Sequence, residues 1–81
     1  MPERLRSGKK VVGAKQTAQA IRASRAQIVY LARDADRKVT GTVLELAAEN
    51  GIEVVDILNM EELGRACGID VKAAVAAIVN E

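Results

Sequence analysis

Residues 27–32 read QIVYLA, an apolar run without the polar–apolar alternation of a half-exposed strand. A strand that is covered on both faces stays apolar throughout, as in parallel α/β sheets. The run ends at residues 33–36, RDAD, where polar side chains indicate that the chain leaves the sheet. This stretch therefore predicts a buried strand in an α/β fold.

Helical patterns flank this strand on both sides. Before it, apolar residues recur at helical spacing over residues 14–24. After it, Asp36 is a good N-cap, and Asn50-Gly51 is a typical helix end because glycine adopts the left-handed conformation that satisfies the last carbonyls. The apolar positions are Ala14, Ala18 and Ile21 in the first helix, and Val39, Val43, Leu46 and Ala47 in the second.

Shorter elements extend the alternation of strands and helices. Asn59 and Glu62 form a capping-box pattern that begins a short helix, which ends at Gly68. Residues 71–79 fit helical and strand spacing equally well, so periodicity leaves them open. The two further predicted strands are residues 9–12 and 52–57. This order predicts a mostly parallel sheet with helices on both faces.

Composition describes one small domain, residues 1–81, with 49% hydrophobic and 28% charged residues. A single cysteine and no histidine exclude an internal disulfide and fall short of the ligands of a zinc site. No apolar run approaches the roughly 20 residues of a membrane span. The N-terminus also lacks the apolar stretch of a signal peptide, so the cytoplasm is the expected location.

Charge is distributed unevenly along the chain. Residues 1–40 hold ten Lys or Arg against three acids, a net charge of +7, whereas residues 41–81 carry a net charge of −6. Such asymmetry favours one side that faces a polyanion and one turned away from it, although charge also clusters on solvated faces without a partner. Lys72, in the acidic half, is expected to lie away from that partner.

The residues argue against an enzyme. Histidine, the commonest acid–base group, is missing, and neither a phosphate-binding Walker loop nor a dinucleotide motif occurs. Asp34 and Asp36 are better interpreted as cap and turn residues than as a catalytic pair. Cys67 lies near a helix end and is interpreted as a small buried residue.

One strand-to-helix junction has the chemistry of an anion site. Gly13 permits a tight turn and close approach of a ligand, and the first-turn N–H groups behind it lack intrahelical partners. Lys15 supplies ammonium donors, while the carboxamide of Gln16 can read a base edge as well as a phosphate. An ordinary helix start with two solvated side chains would have the same residues.

Three motifs carry a resemblance to a known family: residues 13–17 (GAKQT), 32–36 (ARDAD) and 63–71 (LGRACGIDV). In this order and at this spacing, the chain resembles kink-turn RNA-binding ribosomal proteins of the L-seven-Ae and L-thirty-e type, particularly the short bacterial members. The resemblance spans residues 4–79. It implies a three-layer α/β/α sandwich around a mixed four-stranded sheet, in which residues 73–79 form a strand.

The resemblance also implies a function, namely binding of kink-turn RNA, a duplex bent at a short bulge beside sheared G·A pairs. Lys15 and Gln16 would contact guanine edges in the widened major groove, and Gly13 would allow the close approach. The loop of residues 68–71 would cover the extruded bulge nucleotides. The implied RNA-binding residues are Gly13, Lys15, Gln16, Gln19, Arg33, Ile69, Asp70 and Val71. The expected partner is RNA, and the protein is expected to bind it as a monomer. No membrane association, metal ion or other cofactor is expected.

The chain departs from the family pattern at three places. Many members have Asn-Glu where this chain has Lys15-Gln16, although one branch shares Lys-Gln. Gln19 replaces a common lysine, which removes a charge that would pair with phosphate, and Arg37 replaces a common proline. The loss at Gln19 supports an alternative: a protein-interaction or assembly module that keeps the fold without binding RNA.

Overall fold

The computed structural model describes residues 9–79, which form a four-stranded sheet with three helices. The strands are β1 (Lys10–Val12), β2 (Ala26–Leu31), β3 (Glu53–Val55) and β4 (Val75–Val79), in the spatial order β1-β4-β2-β3. β4 is antiparallel to both β1 and β2, and only β2 and β3 are parallel. The expectation of a mostly parallel sheet is therefore wrong, while the mixed sheet implied by the resemblance is confirmed.

The last strand settles the question that periodicity left open. β4 lies between β1 and β2, so both of its edges are hydrogen-bonded, and all five of its residues are buried. Ala76 and Ala77 are fully buried although alanine favours helices. A central strand buries both faces of this apolar segment, which outweighs the local preference of alanine. The strand begins two residues later than the resemblance implied.

Helices cover both faces of the sheet and make the three-layer α/β/α sandwich that the resemblance implied. The helices are α1 (Ala14–Arg22), α2 (Arg37–Glu49) and α3 (Met60–Ala66). α1 and α2 pack on one face through Ile21 and Val43, and α3 packs on the other through Leu63. None of the helices in residues 9–79 has the length and apolar character needed to cross a membrane.

The run at residues 27–32 is apolar because β2 is covered on both sides. Val29 and Leu31 pack in the core beneath α1 and α2, whereas Ile28 and Tyr30 pack on the side of α3. Successive side chains of a strand point to opposite faces, so both sets must be apolar when both faces are covered. The predicted buried strand is confirmed.

The helices α2 and α3 each begin at a residue whose side chain caps the helix. Asp36 Oδ1 accepts a hydrogen bond from a first-turn N–H of α2 at 2.8 Å. Asn59 and Glu62 form the predicted reciprocal capping box, with distances of 2.8 and 2.9 Å. Asp34 Oδ1 accepts from the N–H of Met60, 26 residues away, at 2.8 Å. Both aspartates are thus structural caps, but Asp34 caps the later helix α3 rather than α2.

All three helices end in the same hydrogen-bonded turn, the Schellman motif. Gly51 (φ 65°) and Gly68 (φ 77°) provide the left-handed residue after α2 and α3, as the sequence predicts. After α1 this residue is Ser24, with φ 58°, and the N–H of Arg25 donates to the carbonyl of Ala20 at 2.9 Å. The helical spacing over residues 14–24 predicts an end at Ser24, whereas the helix ends at Arg22, because no glycine in the sequence signals this turn.

Cys67 is 3% exposed within the core on the side of α3. Burial raises the pKa of its thiol, and the nearby Lys10 ammonium opposes that effect to a smaller extent. The thiol is therefore neutral at pH 7, and its interpretation as a packed core residue is confirmed.

Candidate nucleic-acid interface

The predicted site residues lie around one end of the sheet, where β1, β2 and β3 finish and β4 begins. We call this the carboxyl end. Three backbone hydrogen bonds define it. The Gly13 N–H donates to the Val75 carbonyl at 2.8 Å, and the Ala32 N–H donates to the Ala74 carbonyl at 2.9 Å. The Arg33 N–H donates to the carbonyl of Leu58 at 2.9 Å. Residues far apart in sequence therefore meet at this end.

Gly13 is the N-cap of α1 and lies in a conformation that suits glycine alone, with φ 106° and ψ 151°. A Cβ at this position would meet no atom within 4 Å, so the space above the residue is open. No side chain caps the helix, and its first turn holds no acidic residue. The first-turn amides thus have no side-chain cap at a helix end that carries partial positive charge, which favours an anion.

The side chains of α1 divide into an exposed and a buried set. Lys15, Gln16 and Gln19 are exposed, whereas Thr17 and Ala18 are buried. Lys15 and Gln19 are four residues apart, so they lie on the same side of the helix. The first turn therefore presents an ammonium and a carboxamide beside the open space above Gly13, and Gln19 lies one turn further along.

The burial of Thr17 is a feature of this helix that the sequence did not predict. It is fully buried, and its Oγ1 has no hydrogen-bond partner within the described chain. A buried hydroxyl without a partner costs free energy. Thr17 belongs to the motif at residues 13–17, but the helical spacing does not predict its burial, since threonine also occurs on solvated helix faces.

The loop between α3 and β4 is supported by Gly64. A Cβ at Gly64 would collide with the backbone carbonyl of Val71, so the loop passes directly against the helix. Ile69 is partly buried against the core on the side of α3, and its N–H donates to the Gly64 carbonyl at 3.1 Å. Asp70 is exposed, and Val71 is 68% exposed. Val71 is therefore available to a ligand, whereas Ile69 mainly anchors the loop.

Arg33 is exposed directly after β2 and lines a groove beside α2. The same groove is lined by Arg37, Thr40 and Leu44, with Asp56 on its other side. In the sequence, Arg37 stands out only as a departure from the family pattern at the helix start. Its place in the groove depends on how α2 packs beside β3, which no local motif signals.

Lys72 does not lie away from the candidate site, although the charge pattern predicted that it would. It follows Val71 and lines the same shallow groove as Ile69 and Asp70. The cations from the basic half of the sequence are not confined to one end of the sheet. Arg33 and Arg37 lie at the carboxyl end, whereas Arg22 and Arg25, from the same basic half of the sequence, flank the turn into β2 at the opposite end.

Comparisons with known proteins identify the kind of fold that carries this site. The chain belongs to the ribosomal protein L7Ae/L30e/S12e/Gadd45 family, whose model matches residues 1–81. This includes residues 4–8 of the predicted resemblance, which lie outside the described residues.

Curated relatives share most of the chain. It is 51% identical over 71 residues to a protein named as RNA-binding from Caldanaerobacter subterraneus subsp. tengcongensis, covering 88% of this chain and 87% of the relative. A protein also named as RNA-binding, from Geobacillus sp. strain WCH70, is 43% identical, with 94% and 93% covered. Large ribosomal subunit protein eL8 of Halobacterium salinarum is 43% identical over 83% of this chain and 57% of its own.

Among solved structures, a 15.5kD RNA binding protein of Giardia lamblia superposes with a TM-score of 0.82 at 27% identity. The match covers 89% of this chain and 61% of that protein. A Bacillus halodurans protein of unknown function has a TM-score of 0.83 at 24% identity, which concerns the fold alone.

Proposed function

We propose that this protein binds RNA and recognises the kink-turn, a duplex bent at a bulge beside sheared G·A pairs. The observation that carries the proposal is the first turn of α1: an open glycine N-cap followed by exposed Lys15 and Gln16. Family membership and the names of the relatives support RNA as the partner. The protein would act in the cytoplasm as a single monomeric domain over residues 1–81.

Recognition would rest on the shape of the bent RNA and a few base edges. The deep major groove of a regular RNA helix excludes side chains, whereas a sharp bend widens it. The first turn of α1 would then approach the G·A pairs, with Lys15 donating to guanine acceptors and Gln16 both donating and accepting. Gly13 has no side chain to block that approach.

The other side chains at this end would complete the interface. Val71, 68% exposed beside the loop anchor Ile69, would make apolar contact with extruded bases. Arg33, exposed at the end of β2, would pair with phosphates. Such binding needs no tuned catalytic group, and no cofactor enters the proposal.

The decisive experiment compares a kink-turn RNA with an unbulged duplex of equal length and composition. We expect the protein to prefer the kink-turn at moderate salt, and Gln16→Ala to weaken that binding at least about tenfold, the effect of one good base contact. Gln27→Ala is the matched control, because Gln27 is an exposed glutamine in β2 at the opposite end of the sheet.

Two results would contradict the proposal. One is equal affinity for the bent and the straight RNA, which would leave the assembly module as the better account of the fold. The other is an equal loss of affinity in both glutamine variants, since the effect would then not come from the first turn of α1. Circular dichroism of each variant separates a loss of binding from a loss of folding.

A further inference from the structure

A second group of cations lies at the amino end of the sheet, where β1, β2 and β3 begin and β4 finishes. The Val79 N–H donates to the carbonyl of Lys9 at 3.1 Å, and Ala26 is paired with Val79 on the other side. Lys9 and Ala26 are therefore about two strand spacings, roughly 10 Å, apart. Arg25 directly precedes Ala26, and Arg22 is the last residue of α1. We call Lys9, Arg22 and Arg25 the amino-end patch.

The amino-end patch is exposed and positively charged. All three side chains are exposed, and within residues 9–79 none of them forms an ion pair. Within residues 9–79, the acids at this end are Glu49, at the end of α2, and Glu53, at the start of β3. β3 pairs with β2, with Glu53 opposite Ile28, so these acids lie on the Arg25 side of the patch and away from Lys9. Among the described residues, the three exposed cations outnumber the two acids at this end, and none of the three is neutralised by an ion pair.

The turn that holds two of these cations has an unusual residue. Ser24 occupies a left-handed position, φ 58°, where α2 and α3 have glycine. A serine here is less favourable than glycine, yet it adds a hydroxyl between two guanidinium groups in the sequence. Arginine and serine side chains, with lysine, are the usual ligands of nucleic-acid phosphates.

We propose that the amino-end patch binds the phosphate backbone of a second RNA segment, so that one protein molecule joins two RNA segments. The proposal rests on the proposed function for the first segment, held at the carboxyl end. The two sites are separated by the length of the sheet, since the five residues of β4 span about 17 Å. The second contact would carry little sequence specificity, because it consists of cations and a hydroxyl without base-reading geometry.

An anionic membrane fits the amino-end patch less well than RNA does. Membrane-surface binding by basic residues takes clusters of about four to eight, often with apolar side chains that enter the lipid. The patch holds three cations, and the exposed large apolar residues lie elsewhere in the described chain: Val39, Leu44, Ile57 and Val71.

The test uses the full-length protein saturated with unlabelled kink-turn RNA and titrated with a fluorescent unbulged duplex at low salt. We expect a ternary complex, detected by anisotropy and by analytical ultracentrifugation. The double variant Lys9→Ala/Arg25→Ala should weaken duplex binding at least about tenfold and leave kink-turn affinity within about twofold. The slope of log affinity against log salt for the duplex should also become shallower by about one to two.

The matched control is Arg37→Ala/Lys38→Ala, which removes the same charge at the start of α2 near the carboxyl end. It should leave binding of the second duplex unchanged. Equal losses in the two double variants would overturn the proposal, because net charge rather than a patch would then control binding. Absence of a ternary complex would overturn it as well.

Three further outcomes would also contradict the proposal. Loss of kink-turn affinity in Lys9→Ala/Arg25→Ala would show that the patch belongs to the first RNA footprint. The patch could also be required for binding to phosphatidylserine vesicles while the duplex does not bind. The ligand of the patch would then be an anionic membrane and not RNA. A protein with no kink-turn preference whose duplex binding still requires Lys9 and Arg25 would refute both the proposed function and the joining of two segments, leaving one non-specific RNA surface.

Discussion

The carboxyl and amino ends of the sheet expose different backbone groups, and this difference sets what each end can bind. At the carboxyl end α1 begins behind Gly13, so uncapped amides face outward beside Lys15 and Gln16. At the amino end α1 finishes, and a Schellman turn through Ser24 uses its last carbonyls. The carboxyl end offers directional backbone donors at a helix start, whereas the amino end offers cationic side chains and the Ser24 hydroxyl. Shape and base recognition is therefore expected at one end only.

The same comparison explains why the net charge of a sequence segment does not indicate where this protein binds an anion. The carboxyl end mixes cations with carboxylates such as Asp34 and Asp36, which cap helices. The amino-end patch has no such helix-capping acids, although it is built from the same basic half of the sequence. Charge counted along the chain does not distinguish these two environments.

The largest effect is expected from Gly64→Ala at the loop before β4. Its Cβ would collide with the Val71 carbonyl, and a backbone group cannot move aside without shifting the loop. We expect a loss of about 3 kcal/mol in the free energy of unfolding, measured by urea denaturation, together with weaker kink-turn binding. Gly41→Ala, where a Cβ meets open space inside α2, should stabilise by about 0.5–1 kcal/mol. Equal stability of the two variants would refute the close contact.

Gly13→Ala tests the carboxyl end more directly. The conformation at φ 106° and ψ 151° is strained for any residue with a Cβ, so we expect a loss of about 2 kcal/mol in unfolding free energy. Because the first-turn amides would shift with the strained residue, kink-turn affinity should fall beyond what the unfolded fraction explains. Gly51→Ala, also at positive φ but after α2, should cost stability and leave RNA affinity intact.

Thr17→Val separates stability from binding within α1. The substitution removes a buried Oγ1 that has no partner in the described chain and keeps the side-chain shape. We expect a gain of about 1 kcal/mol in thermal or chemical unfolding, with unchanged kink-turn affinity. Loss of stability instead would show that the hydroxyl is hydrogen-bonded in solution.

Ser24→Gly has the smallest expected effect and probes the amino end. Relief of the left-handed conformation should add about 0.5 kcal/mol to the free energy of unfolding. Kink-turn affinity should not change, whereas binding of the second duplex should weaken slightly through loss of the hydroxyl. A change in kink-turn affinity would mean that the two ends are not independent.

Much of the local structure was predictable because its signals act over a few residues. The Asp36 cap, the Asn59–Glu62 box and the glycine ends of α2 and α3 follow from hydrogen bonds within one helical turn. The first-turn position of Lys15 and Gln16 followed from Gly13 in the same way. Contact of these residues with RNA stays a prediction.

What the residues alone could not predict depends on contacts between distant segments. Asp34 was predicted to be a cap or turn residue, but no local pattern predicts that it caps α3, because its partner Met60 is 26 residues away. Lys72 was placed on the wrong side because its position depends on how the loop lies against Gly64. The predicted helical pattern ran to Ser24, two residues beyond the observed end of α1, because Ser24 adopts a conformation that serine seldom takes.

By itself the sequence determined the order of helices and strands, the burial of β2 and the start of α1, since each depends on side-chain periodicity or a cap a few residues away. Only the tertiary structure decided that residues 75–79 form the central strand, with antiparallel neighbours on both sides. The segment's own preferences are balanced between helix and strand. The strand is favoured because the edges of two distant strands need hydrogen-bond partners and because helices cover both faces of the sheet.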